Sequence, residues 1–419
     1  MLEFWYRDRR TLLDFRRGPL GPYLDGFAAY LKQAGYSSAA GKAILARSCQ
    51  FNDWLVRNGV ATCSGISEAQ LESFLDDRLA DVRTTSTNYH PRSDVRCSLK
   101  RLQAYLVGEG ILDRPKPKPE PHSWYSHVLG LFVKYLHDEC ELAEQTVGNI
   151  RRMVVAFLEG SRKGKTGKPN DFLNPDALAQ YVKVHIAQSP ENLKSHATAL
   201  RKFLRFCARD GHTTTDLSGL IPSVRSYRQA SLPRGMEDSD LERVLATIPR
   251  DTPKGAKDYA IVLLMMGYGL RSVSVAALQL EDIRWRSSTI RIRAQKGGKE
   301  AVLPLLDAVG EAVLGYLRHR PDSPFREVFL TTKAPIHPLN GLGISQMTRV
   351  YMKRAGVSLP GRGASTLRHS WAIRALAHDS SIKAIADVLG HRYLNTTFIY
   401  AKADLKALRH VAMPWPEER

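Results

Sequence analysis

Acid is in short supply in this chain. Against 61 Lys and Arg there are 42 Asp and Glu, so the 419 residues carry a formal charge of +19. That excess specifies no fold, but it favours a polyanionic partner, either nucleic acid or an anionic membrane surface. Long apolar runs are also missing. The longest, Tyr259 to Leu270, contains two glycines and falls well short of the roughly 20 residues a membrane span needs. No membrane partner is therefore expected. Met1 to Arg7 has neither the apolar core nor the cleavage site of a signal peptide. Cysteine is scarce: Cys49, Cys63, Cys97, Cys140 and Cys207 are odd in number, scattered, and include no Cys-x-x-Cys pair. This usage points to a reducing cytoplasm, with neither a disulfide frame nor a zinc site. No His-Glu-x-x-His cluster occurs, so no metal is implied. Gly160-Ser-Arg-Lys-Gly-Lys165-Thr166 has three residues between its glycines where a phosphate loop has four.

The length suggests two or three domains. Arg114-Pro-Lys-Pro-Lys-Pro-Glu-Pro121 reads as an extended linker, because alternating prolines forbid helix. Both sides of it have helical periodicity, and the two sides resemble each other. Phe27-x-x-Tyr30-Leu31 recurs as Phe132-x-x-Tyr135-Leu136, and Leu71-x-x-Phe74 as Leu178-x-x-Tyr181. Leu99-x-x-Leu102-x-x-Tyr105 recurs as Leu200-x-x-Phe203-x-x-Phe206, and each of these last helices runs out at Glu109-Gly110 or Asp210-Gly211. These matches read as two copies of a small helical domain, with chance likeness of amphipathic helices as the alternative. Each copy carries a basic stripe: Arg92, Arg96 and Lys100 in the first, Arg201, Arg205 and Arg209 in the second. Residues four apart share a helix face, so each stripe is a candidate DNA-binding surface or a solvated face.

A second boundary falls between Arg225 and Gly235. Beyond it, Asp238 to Ile248 and Lys257 to Met266 read as helices. Thr289 to Gln295 and Glu300 to Leu305 read as strands of a hairpin turning at Lys296-Gly297-Gly298, and helices then return. The expected fold is mainly α with a small β-hairpin or sheet. Its domains are a first helical domain at 1–113, a linker at 114–121, a second helical domain at 122–225 and an α+β domain at 232–413.

Four segments of the last domain belong together: Gly267-Tyr-Gly-Leu-Arg271-Ser-Val-Ser274, the Lys296 hairpin, Ser365-Thr-Leu-Arg368-His369, and Leu389-Gly-His391 followed by Thr396-Thr397-Phe-Ile-Tyr400. In this order and spacing they closely resemble the tyrosine recombinase (phage integrase) family. The resemblance implies a site-specific recombinase or integrase that breaks and rejoins DNA without metal, ATP or other cofactor. Tyr400 would be the nucleophile forming a 3′-phosphotyrosyl link. Arg271 and Arg368 would hold the phosphate through paired N–H donors. Lys296 would protonate the 5′ leaving oxygen, and His391 would hydrogen-bond a phosphate oxygen. Thr396 and Thr397 are expected to cap the helix carrying Tyr400, and Arg368 is expected at a helix start. His369 reads as structural.

The resemblance further implies that the helical copies are core-binding, SAM-like domains clamping a double-stranded DNA recombination site. It also implies a homotetramer on DNA, serving integration or transposition of a bacterial mobile element. The segment after Tyr400 (Leu405, Leu408, Val411, Met413) has spacing suited to docking on a neighbouring subunit or packing within its own domain. Two positions depart from the family. Ser365 stands where a histidine is usual, and Ser274 where a carboxylate is usual. These losses leave open a catalytically weak DNA-binding protein, and the shared chemistry leaves open a type IB topoisomerase.

Overall fold

The computed structural model describes residues 1–63, 66–80, 91–113, 125–160, 175–182, 190–221, 235–294, 300–357, 363–391 and 393–401, with backbone alone at 78–80, 91, 92, 177, 180 and 190–193. The chain divides into two compact units. One joins Met1–Asp113 to Ser231–Arg419, and the other is Arg114–Ala230. The proline-rich linker, the segment following Tyr400 beyond residue 401, and Lys296 lie outside the described residues.

Among the described residues the first unit begins with the helices α1 (Leu2–Trp5), α2 (Arg9–Phe15), α3 (Gly21–Gln33), α4 (Ser38–Arg57), α5 (Glu68–Ala80) and α6 (Pro91–Gly108). Local chemistry sets their starts. Asp8 accepts the Thr11 N–H ahead of α2, and Ser37 accepts the Ala40 N–H ahead of α4. Along α4 the buried Ile44, Leu45, Phe51 and Leu55 form one apolar stripe. Phe27 and Tyr30 of α3 meet Tyr105 of α6 at ring-centroid distances of 5.4 and 5.6 Å.

Among the described residues the second unit contains the helices α7 (Ser126–Asp138), α8 (Glu144–Gly160), α9 (Pro175–Tyr181) and α10 (Pro190–Arg209). Phe132 and Tyr135 of α7 meet Phe206 of α10 at 5.3 and 5.4 Å. A 3₁₀ turn at Leu217–Leu220 closes on α10, where Arg201 donates to the Ile221 carbonyl (3.2 Å) and Arg205 to the Ser218 hydroxyl (3.3 Å).

The C-terminal part of the first unit is built around α12 (Pro253–Tyr268), preceded by α11 (Asp238–Ala246). Thr252 caps α12 by accepting the Gly255 N–H, and Pro253 occupies its first turn. Ala260, Ile261, Val262, Leu264 and Met265 are all fully buried. A helix apolar on every side belongs at the centre of a core. A short α13 (Ser272–Ala276) leads to strands β1 (Ile283–Arg284), β2 (Thr289–Ile292) and β3 (Ala301–Pro304), which pair antiparallel in that order. The sheet therefore has one strand more than the expected hairpin. The extra strand is only two residues long and runs straight into a 3₁₀ turn, too short for alternation to reveal. The fully buried Asp282 anchors the sheet by accepting from Arg291 (2.8 Å) and Arg293 (2.9 Å). Helices α14 (Asp307–Leu317), α15 (Gly341–Arg354), α16 (Ala364–Ala377) and α17 (Ile382–Leu389) complete this part.

Within this unit the two parts meet where the Ile336 N–H donates to the Ala34 carbonyl (2.9 Å). The adjoining Gly35 has φ +78°, and a Cβ there would lie 2.6 Å from the Ile336 side chain. Among the described residues no helix is long and apolar enough to cross a membrane.

Candidate active site

Two helix ends converge to make the site. α12 stops at Gly269, whose φ of +62° only glycine adopts readily, and a Cβ there would meet Leu389 and Trp371 at under 3 Å. α17 begins at Ser381, which accepts the Ala384 N–H, and stops at Gly390, also at φ +62°. The Gly390 and His391 N–H groups then bond back to the Asp387 and Ala386 carbonyls, the pattern of a Schellman cap. Both helices point their unsatisfied carbonyls, the negative end of the helix dipole, toward the same place.

Helix α16 fills that gap with one of its faces. Arg374 donates to the Met266 carbonyl (2.8 Å), Trp371 to the Gly267 carbonyl (2.8 Å) and Arg368 to the Gly269 carbonyl (2.8 Å). Positions three apart on one helix thus satisfy three carbonyls at the end of another. The other arm of Arg368 donates to the Leu389 carbonyl (2.8 Å), and Arg271 reaches that same carbonyl at 3.4 Å. Neither guanidinium forms a salt bridge among the described residues. Ser274, half-buried on α13, supplies no carboxylate in that role. Burial and the nearby Arg271 push the Arg368 pKa down to about 10. Two cations thus meet helix-end carbonyls and, at Arg368, an imidazole nitrogen, with no carboxylate partner among the described residues, a ready site for an anion.

His391 is clamped on both ring nitrogens. Nε2 lies 2.9 Å from an Arg368 N–H, which can only donate, so Nε2 accepts. Nδ1 then carries the proton and donates to the buried Thr397 hydroxyl at 2.7 Å. Burial, Arg368 and Arg271 push its pKa down to about 4, consistent with a neutral ring at pH 7.

Tyr400 lies in a small apolar cluster with Ala372, Leu376, Ile385 and Leu389. Its hydroxyl oxygen lies 2.9 Å from His369 Nδ1, at hydrogen-bond distance. Burial raises the pKa of the phenol, with Arg368 and Arg271 opposing, and burial and Arg368 lower that of His369. Arg271, Ser365, Arg368, His369, His391 and Tyr400 all line one cleft of about 320 Å³.

The structure thus brings together Tyr400, Arg271, Arg368 and His391, while Lys296 lies outside the described residues. His369, read as structural, lies 2.9 Å from the Tyr400 hydroxyl. Two expectations need correction. Arg368 stands in the second turn of α16, because that helix begins at Ala364. Thr397 caps no helix through its side chain; it holds His391, and Tyr400 follows a 3₁₀ turn at Leu394–Thr396. The signal for His369 was its place beside Arg368, but only the fold shows which way its ring turns.

The basic stripes lie elsewhere. The Arg92 side chain is outside the described residues, Lys100 is exposed, and Arg96 pairs with Glu72. Arg209 pairs with Glu139 at 2.6 Å and stacks over Tyr135 at 4.4 Å. Arg201 and Arg205 face the 3₁₀ turn already described.

Comparison with known proteins agrees with this geometry. Residues 234–406 match the phage integrase family. The chain is 34% identical over 405 residues, covering 96% of both sequences, to an integrase/recombinase of Sinorhizobium fredii, y4rA. It is 30% identical over 286 residues to the tyrosine recombinase XerD of Xanthomonas axonopodis pv. citri, covering 65% of this chain and 92% of that one. A crystal structure of the XerH site-specific recombinase bound to palindromic difH substrate aligns with a TM-score of 0.53 at 18% identity. That alignment covers 82% of this chain and 94% of XerH, a likeness of fold.

Proposed function

This chain belongs to the phage integrase family and is a tyrosine-type site-specific recombinase, and from that premise we propose that it cuts and rejoins DNA through a 3′-phosphotyrosyl bond to Tyr400. One observation carries the reading: two guanidinium groups without carboxylate partners among the described residues share a cleft with a tyrosine hydroxyl. Charge of that kind invites a phosphate, and a planar guanidinium matches its oxygens with paired donors.

Arg271 and Arg368 hold the non-bridging oxygens while the Tyr400 oxygen attacks phosphorus. The 5′ oxygen leaves with a proton from Lys296, the role that family resemblance gives it. Neutral His391 holds Arg368 through Nε2, and family resemblance adds a hydrogen bond from it to a phosphate oxygen. The phosphotyrosyl bond keeps the energy of the phosphodiester, so rejoining draws on no nucleotide.

In the same reading the segments 1–113 and 122–225 are core-binding domains that grip a double-stranded recombination site, and 232–413 is the catalytic domain. The XerH likeness, a complex with its difH substrate, supports a DNA partner. Arg92, Arg96, Lys100, Arg201, Arg205 and Arg209 contact phosphates. The exposed pair Arg209–Glu139 is screened by solvent, so a phosphate displaces the carboxylate with little loss. The protein acts in the cytoplasm as a homotetramer on DNA, integrating or transposing a mobile element.

The test is covalent trapping on a nicked duplex carrying the sequence that flanks its gene. Wild-type protein forms a denaturant-stable adduct, while Tyr400→Phe binds the duplex and forms none. An adduct with the Phe variant overturns the assignment.

A further inference from the structure

We infer that His369 takes the proton of Tyr400 during strand cleavage and returns it during rejoining, an inference that rests on Tyr400 being the nucleophile. The phenol is buried and needs an acceptor before its oxygen can attack phosphorus. The position where the family usually has a histidine is Ser365, an exposed residue lining the cleft, and a serine is a poor base near neutral pH. His391 cannot serve, since Nε2 is taken by Arg368 and Nδ1 bears a proton. No carboxylate lines the cleft among the described residues. His369 already has the geometry, with Nδ1 at 2.9 Å from the hydroxyl oxygen and the ring centroids 5.6 Å apart.

Charge makes the acceptor workable. The groups around His369 are Arg368 on its own helix, Arg271 at the start of α13, His391 after α17, and Tyr400 itself. Burial and Arg368 keep the imidazole below its ordinary value, consistent with a neutral ring, ready to accept, at pH 7. Moving a proton from a phenol to such a ring is uphill in the resting site, so transfer must accompany attack. The bound phosphate, with its negative charge, offsets the arginines and makes the imidazolium tolerable.

Each step balances. The Tyr400 oxygen forms a bond to phosphorus as the bond from phosphorus to the 5′ oxygen breaks. The phenolic proton passes to His369 Nδ1, and the 5′ oxygen departs with its electron pair and takes a proton from the general acid. In rejoining, the 5′ hydroxyl returns its proton to the deprotonated general acid as its oxygen attacks phosphorus, the phenolate leaves, and Nδ1 gives its proton back to Tyr400.

The experiment is single-turnover cleavage of a nicked duplex with sulfur at the 5′ leaving position, which needs no general acid. His369→Asn places an amide oxygen near Nδ1, keeping a hydrogen-bond acceptor but no base. It should cleave about 10²–10⁴-fold more slowly, the usual cost of a positioned base, with DNA binding unchanged. The wild-type rate should fall at a pH lower than the ordinary 6.5 of histidine, and that fall should vanish in the variant, leaving only a loss near the His391 value of about 4. Adding Ser365→His to His369→Asn should recover at least tenfold, which a misfolded variant would not allow. A variant within threefold of wild type, with the same pH profile, overturns the role of His369 while leaving Tyr400 intact. A wild-type protein that forms no Tyr400-dependent adduct instead overturns the nucleophile assignment beneath it.

Discussion

In the first helical bundle Phe27, Tyr30 and Tyr105 stand 5.4–6.1 Å apart, and in the second Phe132, Tyr135 and Phe206 stand 5.3–6.2 Å apart. The same triangle of rings joins the first long helix of each bundle to its last. What is fastened around it differs. Asp25 of the first bundle gathers the Met1 ammonium (2.9 Å), the Leu2 N–H (3.0 Å) and Arg16 (2.9 Å), tying α1 and α2 down. The position 105 residues on is Gly130, and the second bundle is closed by its 3₁₀ turn instead. Even the arginines of the two stripes find glutamates in different places, Glu72 on α5 and Glu139 at the end of α7. Apolar packing at three- and four-residue spacing is a property of the helices themselves. Polar fastenings are one-off arrangements that a repeat need not carry along.

The strongest way to test that contrast is to empty the two triangles. Phe27 and Phe132 are each fully buried, so Phe27→Ala and Phe132→Ala should each cost about 3–5 kcal/mol. Hydrogen exchange should show the Phe132→Ala loss confined to 125–221. The Phe27→Ala loss should reach into 235–401, because those residues share a compact unit with the first bundle. Equal spread from both variants would break the contrast. A smaller effect sharpens the likeness. Gly110 and Gly211 end the matched last helices at φ +72° and +74°, each with open space where a Cβ would stand. Alanine at either should cost only the left-handed backbone strain, about 1 kcal/mol, and denaturant midpoints should shift alike.

The smallest effect concerns acid. Burial raises the Asp25 pKa, but hydrogen bonds from Arg16, Leu2 and the N-terminus outweigh it and hold the carboxyl below the usual range. A depressed carboxylate stabilises the fold fully above its unfolded value near 3.8, and that stability is lost as pH falls through the lower folded value. Asp25→Asn should cost about 1 kcal/mol or less at pH 7, given solvent screening. It should also flatten the stability of the first bundle below pH 4 while leaving the second untouched, as followed by acid titration of exchange rates.

Much of this was legible from residue spacing. The repeated rings, the helix-ending glycines and the hairpin that became β2 and β3 all announce themselves through period and turn chemistry. So did the assembly of Arg271, Arg368, His391 and Tyr400, through the order of four segments. Legibility failed where a side chain had to choose among partners distant in sequence. Thr397 turns to His391 rather than to a helix start, His369 turns to Tyr400 across 31 residues, and Arg96 and Arg209 turn to glutamates. Such choices are made by tertiary packing, which periodicity does not record.

The row Arg368, Trp371 and Arg374 divides the freedom to mutate unevenly along one helix. Each of these three side chains closes a carbonyl that would otherwise stand bare at the end of α12. Exchanging any of them injures the scaffold as well as the chemistry. Ser365, one turn earlier and exposed, has no such carbonyl to close. A lineage can therefore rewrite that position while its helix keeps its footing. The proton-handling machinery of this site is, on this account, the part with room to wander, while the grip on phosphate is mortised into the frame.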